Sequence, residues 1–170
     1  MTKRSVLRLD NKLQNTYSVR VPANQTFENG FVAKLGDVEK ANLDVRGVSG
    51  ATKGDSVVII GNPAIVYDNN RIGTGFENEY FMKAGEVVRA YKPEVNKLIS
   101  ISLEGFVTEP EEGDIVAAAA TAGFKLDVAA TAPATGFKAK VVKIETVGGA
   151  LAVNATHSGT TYAVLEVLSV

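Results

Sequence analysis

The chain contains no cysteine. Disulfides, thiolate metal sites and a cysteine nucleophile are therefore excluded, and the fold must stand on burial and hydrogen bonding. A single histidine, His157, leaves a transition-metal site to be built mostly from carboxylates, an unfavourable choice. Net charge is nearly absent: 18 Lys and Arg against 19 Asp and Glu give −1 at pH 7, a balance that does not point to a nucleic-acid partner. No stretch is apolar for long enough to span a bilayer as a helix, and Met1–Asn15 has basic residues without the apolar centre of a signal peptide. The expectation is a protein made in the cytoplasm, with no membrane partner. No Gly-x-Gly-x-x-Gly or Walker-type loop precedes a helical pattern, so nucleotide binding has no support. No cofactor is expected.

What is present favours strands. Glycine is abundant, and Val, Ile, Thr and Ala dominate over Leu, as in chains of many short strands joined by tight turns. The expected fold is mainly β, an antiparallel β-barrel or β-sandwich built from short hairpins, with an extended N-terminal arm. At 170 residues the chain is long enough to bury a core without staples. The expected division is an arm over 1–15 and a β domain over 16–170, with two subdomains dividing near 81–85 as an option.

The best-specified stretch is Gly85 to Phe106. Ile99, Ile101 and Leu103 alternate with Ser100, Ser102 and Glu104, which predicts a half-buried strand with the serines towards water. Glu86 to Tyr91 is rich in β-formers, and Lys92-Pro93-Glu94 breaks the run, so the two segments read as a hairpin. Burying the three aliphatic side chains contributes about 1.5–3 kcal/mol each and fixes the register.

Elsewhere, Tyr17 to Val21 and Phe31 to Leu35 read as a second hairpin-like unit around the Asn29-Gly30 turn. Gly36 to Gly50, interrupted by glycines, reads as loop with at most one helical turn near Asp37 to Ala41. Val57 to Ile60 is an apolar block suited to a strand buried on both faces. Ala64 to Tyr67 reads as a strand, and Arg71 to Ala84 as a long loop pinned by Phe76, Tyr80 and Phe81. Gly54-Asp55 and Gly113-Asp114 begin similar strand starts, for which a good lead-in turn is a simpler explanation than duplication. Phe137 to Glu145 changes its alternation once, as a bulge would make it, and Tyr162 to Leu168 matches it across Thr146 to Thr161, a candidate contact loop.

Two constellations invite chemistry. His157-Ser158-Gly159 places the only histidine beside a serine, but adjacent residues rarely face each other productively and no strand-to-helix elbow surrounds them. The turn carrying Glu109, Glu111, Glu112 and Asp114 offers oxygen ligands without the spacing of a calcium loop, and a solvated turn is the plainer reading. No catalytic residue and no metal ligand is assigned, and the expectation is that the protein is not an enzyme.

Three groups of segments carry a family resemblance. They are Tyr17-Ser18-Val19-Arg20-Val21-Pro22 with Glu28-Asn29-Gly30-Phe31-Val32, then Phe81-Met82-Lys83-Ala84-Gly85-Glu86-Val87-Val88-Arg89-Ala90-Tyr91, and last Phe137-Lys138-Ala139-Lys140-Val141-Val142 with Tyr162-Ala163-Val164-Leu165-Glu166-Val167. In this style the chain resembles the head-decoration (auxiliary capsid or cement) and head-fibre proteins of tailed bacteriophages. The resemblance implies a β-rich structural virion protein that is assembled in the host cytoplasm. It would coat the outer capsid surface on the major capsid protein as a homo-oligomer, a trimer being favoured. The absence of a collagen-like or coiled-coil stretch departs from a long fibre and favours a compact decoration. The rival is a head-fibre or surface-displayed module that binds glycans or the host surface through Thr146 to Thr161 and Arg71 to Ala84.

The expected attachment residues lie in the arm. Lys3, Arg4, Arg8 and Lys12 stand there against the single acid Asp10, with Val6, Leu7, Leu9 and Leu13 interleaved. Cations on a flexible segment gain most against an acidic partner surface, and the aliphatic residues would bury area on docking.

Overall fold

The computed structural model describes residues 3–9, 15–63, 79–119, 123–148 and 159–170. They form strands β1 (Leu7–Arg8), β2 (Thr16–Arg20), β3 (Val32–Glu39), β4 (Asn42–Gly50), β5 (Val58–Ile60), β6 (Val87–Tyr91), β7 (Leu98–Ser102), β8 (Ile115–Ala118), β9 (Leu126–Val128), β10 (Lys138–Val147) and β11 (Thr160–Ser169). A 3-10 turn, Leu103–Gly105, follows β7. The protein is mainly β, as its glycine-bounded, β-branched segments predict.

Two assemblies share the strands. Strands β2 to β6 close a five-stranded barrel in the order β2-β4-β3-β5-β6, with β2 and β4 parallel and the other pairs antiparallel. The rest form an antiparallel sheet in the order β1-β7-β11-β10-β8-β9. The barrel core gathers Val19, Val21, Phe27, Ala33, Val58, Ile60, Met82, Val88 and Ala90. A second core lies between the sheet and one wall of the barrel, where Val32, Val57 and Ile59 meet Ile99, Ile101, Val116, Leu126, Ala139, Leu165 and Val167. Strand β5 therefore serves both cores: Val58 and Ile60 point into the barrel and Ile59 points out to the sheet. A strand with no face in water has no place for polar alternation, which is why Val57–Ile60 is a continuous apolar block.

Several expectations are corrected. The Gly36 to Gly50 stretch is not a loop but most of the long β3–β4 hairpin. Its glycines are used at irregularities of the pairing: the register shifts between Leu35 and Val38, and a Cβ on Gly36 would lie 3.0 Å from the Gly47 carbonyl oxygen. A side chain on Gly36 would press on the Gly47 backbone there, whereas Gly47 itself has room for one. Tyr17–Val21 and Phe31–Leu35 do not pair with each other, since β2 lies between β4 and β6. Nor do the segments before and after Lys92-Pro93-Glu94 form a hairpin. β6 pairs with β2 and β5 in the barrel, whereas β7 pairs with β1 and β11 in the sheet. The chain passes from one assembly to the other between Tyr91 and Leu98, later than residues 81–85, and β1 belongs to the later assembly. Ser100 and Ser102 have no exposure, so β7 is buried on both faces rather than half-buried.

Other readings stand. Val142 is skipped in the β10–β11 register, between Val141↔Leu165 and Lys143↔Val164, which is the bulge inferred from the phase change. The Gly-Asp echo is a shared turn: Asp55 N–H donates to the Thr52 carbonyl and Asp114 N–H to that of Glu111, while each aspartate accepts the N–H of the residue three before it. Gly54 and Gly113 sit at φ of 96° and 95° in these turns, a conformation open to glycine. Ala64–Tyr67, Phe76 and His157-Ser158 lie outside the described residues.

The first of these turns also joins elements. Asp55 accepts from Lys34 Nζ at 2.8 Å, from Thr52 N–H at 2.9 Å and from Thr52 Oγ1 at 2.8 Å, and these contacts, Lys34 foremost, lower its pKa from 3.8 to about 2. A carboxylate with a depressed folded pKa stabilises above its unfolded value and loses that contribution as pH falls through the folded one. The stability advantage of the wild type over Asp55→Asn is therefore expected to be full above pH 4 and to shrink from there towards pH 2. Denaturant midpoints of the two proteins across that range check it; a constant gap would reject the ion-pair origin.

Candidate functional site

The N-terminal segment holds the cations expected to make the attachment. Residues 3–9 do not form a free arm. Val6 is 2% exposed and Ser5 not at all, and β1 is an edge of the six-stranded sheet with Leu7 opposite Ile101 and Arg8 opposite Ser100. Val6 N–H donates to Ser102 Oγ at 2.9 Å and its carbonyl accepts from Ser102 N–H at 2.9 Å. The buried serine thus acts as a seat for the incoming strand. The seat is tight: a Cβ on Gly105 would fall 2.5 Å from Ile101 Cγ2 and 2.7 Å from Ser5 Oγ.

The cations complete this attachment within the chain. Arg4 Nη1 donates to Glu28 Oε1 at 2.8 Å and its guanidinium lies 4.9 Å from the Phe81 ring centroid, while Glu28 Oε2 accepts Ser5 N–H at 2.8 Å. Glu28 is 9% exposed, so it is a largely buried carboxylate with both oxygens partnered. Arg8 reaches across the outer face of the sheet, over the Tyr162 ring at 5.3 Å, to Glu145 Oε1 at 3.2 Å. Lys143 Nζ meets the other Glu145 oxygen at 3.2 Å, and the two cations hold that carboxyl below the usual range, Lys143 the more strongly. Lys3 is exposed, and Lys12 lies outside the described residues. Of the four expected attachment residues, Arg4 and Arg8 are thus joined to the body at two separate places, and neither is held out for a partner.

No protein-family model, curated protein or solved structure matches the chain.

Leu43, 77% exposed, stands at the free end of the β3–β4 hairpin, and Val38 on the same hairpin is 36% exposed. Val107 is 62% exposed just before the acidic turn. Strands β10 and β11 run past the ends of their neighbours, since β8 reaches only Lys140 of β10 and β7 only Tyr162 of β11. Among the described residues, β10 is therefore an edge from Val142 (48% exposed) onward, and its end, Thr146 and Val147 (46%), forms a two-stranded ribbon with Thr160 and Thr161. The expected contact loop, Thr146 to Thr161, is shortened by this ribbon to the stretch after Val147, of which residues 149–158 lie outside the described residues.

The acidic turn has a structural use. Glu112 Oε1 accepts Ile144 N–H at 3.0 Å and Asp114 Oδ2 accepts Glu111 N–H at 2.9 Å, so two of its four carboxylates cap backbone groups. A groove of about 270 Å³ lies where β1 meets the barrel, lined by Leu7, Leu9, Asn29, Asn62, Pro63 and Tyr91. Its two asparagines are joined by reciprocal bonds, Asn62 N–H to Asn29 Oδ1 at 2.8 Å and Asn29 Nδ2 to the Asn62 carbonyl at 3.0 Å. Sequence reasoning missed Glu28, Phe81, Glu145 and Tyr162 as partners of the cations. No local signal marks them, because the contacts span 24 to 137 positions in the ion pairs.

Proposed function

We propose that this protein is a structural virion protein that coats the outer surface of a tailed-phage capsid, bound in several copies to the major capsid protein. The family style of its segments supports the reading, and one structural observation shapes it. The basic N-terminal segment is a strand of the body, clamped by Glu28 and seated on Ser102, so docking falls to the body's own ends. A decoration protein works by area rather than by a cleft, and a β body with exposed aliphatic residues at its hairpin ends supplies such area. Leu43 is the most exposed of these and is the residue assigned to the shell contact.

The test is co-sedimentation of the purified protein with empty mature heads. Intact protein is expected to saturate at a fixed copy number per head, and Leu43→Asp to reduce occupancy by about tenfold at a fixed subsaturating concentration, the loss of one buried aliphatic anchor. Raising the ionic strength is expected to have only a modest effect, because Arg4 and Arg8 are already paired inside the fold. Failure of the intact protein to sediment with heads would remove the reading, and specific retention on a glycan array in its place would favour the surface-ligand alternative.

A further inference from the structure

Strand β10 presents an edge that no other strand covers among the described residues. Its first residues pair with β8 up to Lys140, and Val141 is bonded on that side to the acidic turn through Gly113 N–H and the Asp114 carbonyl. From Val142 onward, among the described residues, one bond reaches the edge: Ile144 N–H donates to Glu112 Oε1. That bond fixes the phase of the strand, because it shows Ile144 turning its backbone groups away from β11, and Thr146, two residues on, must do the same. An uncovered strand edge flanked by exposed valines is a template for pairing with another strand.

We infer that this edge joins a second copy of the chain, β10 against β10, antiparallel about a two-fold axis through Ile144. The charge pattern selects that register. With the axis at Ile144, Lys143 of each copy stands opposite Glu145 of the other, and Val142 opposite Thr146. An axis one residue later would set Glu145 against its own copy, a repulsive arrangement. Pairing about Ile144 also uses the groups already turned outward, with Ile144 N–H exchanging the Glu112 carboxylate for its copy's carbonyl. The glutamate is solvent-exposed and returns to water at small cost. Both cations around Glu145, Arg8 and Lys143, lie on the outer face of the sheet, so the new Lys143–Glu145 pairs extend an existing charge row instead of creating a buried one. β8 ends the edge at Lys140, which confines pairing to about the Val142–Thr146 segment. So short a contact is well below the ~1,200 Å² of a stable interface, and the dimer is weak. On a shell, where copies are held side by side, such a contact is strengthened by its effective concentration.

The experiment needs no heads and therefore stands apart from the docking reading. Sedimentation equilibrium of the full chain, at concentrations from micromolar to millimolar, is expected to move from 17.9 kDa to twice that mass. Thr146→Pro, which removes an outward N–H, and Lys143→Glu, which sets like charges across the axis, are each expected to weaken association at least about tenfold. Circular dichroism shows whether either variant has kept its fold. The chain has no cysteine, so Ile144→Cys carries one thiol. At a two-fold axis its Cα lies ~5.5 Å from its copy, within disulfide reach, and mild oxidation is expected to trap the dimer. A wild type that stays at 17.9 kDa throughout, or an oligomer that neither Thr146→Pro nor Lys143→Glu weakens, overturns the inference.

Discussion

Replacing Ile101 with aspartate is expected to unfold the protein, and replacing Ser102 with aspartate to do nearly as much. Both side chains have no exposure. Ile101 packs in the core shared by the sheet and the barrel, so a carboxylate there has neither water nor a partner. The penalty is several kcal/mol, comparable with the ~5–15 kcal/mol that holds an ordinary domain together. Ser102 faces the other way, and an alternating strand would leave that face in water. Here it is covered, and its hydroxyl accepts the Val6 N–H. An aspartate adds volume and charge where the N-terminal strand sits. Ser18, exposed on β2, provides the control: Ser18→Asp is expected to melt within a few degrees of the wild type. Thermal melting of the three variants checks the assignment, and a Ser102→Asp protein as stable as Ser18→Asp would show that the strand has one face in water.

Deleting residues 1–9 is the second large effect. Val6 is buried and Leu7 packs on the sheet core, so about 1.5–3 kcal/mol of apolar burial is lost for the first and somewhat less for the second. Glu28 is left as a largely buried carboxylate without Arg4 or Ser5 N–H, and Ser102 Oγ loses its donor. The sum is on the order of 3–5 kcal/mol, which lowers the melting temperature of a chain of this size by roughly 10 °C or more. Glu28→Ala, which removes the clamp alone, is expected to shift melting in the same direction by less. A truncated protein that melts within about 2 °C of the intact one would mean that the segment contributes nothing to the fold.

What was legible in the sequence was local. The bulge at Val142 shows in the chain because it shifts an alternation pattern by one residue, and β5 shows because a strand between two cores has no polar face. The lead-in turns at Gly54-Asp55 and Gly113-Asp114 were readable for the same reason, since their hydrogen bonds close within four residues. What was not legible was partnership. Lys92-Pro93-Glu94 looks like a hairpin turn, yet it carries the chain from one assembly to another, and nothing in those residues tells which distant strand each flank will meet. Ser102 looks solvated because its partner is Val6, nearly a hundred positions away. The arm looked free for a related reason. Arg4 and Arg8 are ordinary surface cations until Glu28 and Glu145, placed by the barrel and by β10, are brought beside them. Gly36 misled in the opposite sense, reading as a breaker although its missing side chain lets two paired strands approach at an irregularity.

Amide hydrogen exchange on the intact protein tests most directly whether the N-terminal segment is a strand of the body. The N–H of Val6 is bonded to Ser102 Oγ and that of Ser102 to the Val6 carbonyl, both away from solvent. The expected result is that both amides exchange as slowly as those of Ile99 and Leu165 in the neighbouring strands, and that Glu28→Ala speeds Val6 before it speeds Leu165. Exchange of Val6 and Leu7 at the rate of an unstructured chain, while β10 and β11 remain protected, would contradict it and return the basic segment to the role of a free arm.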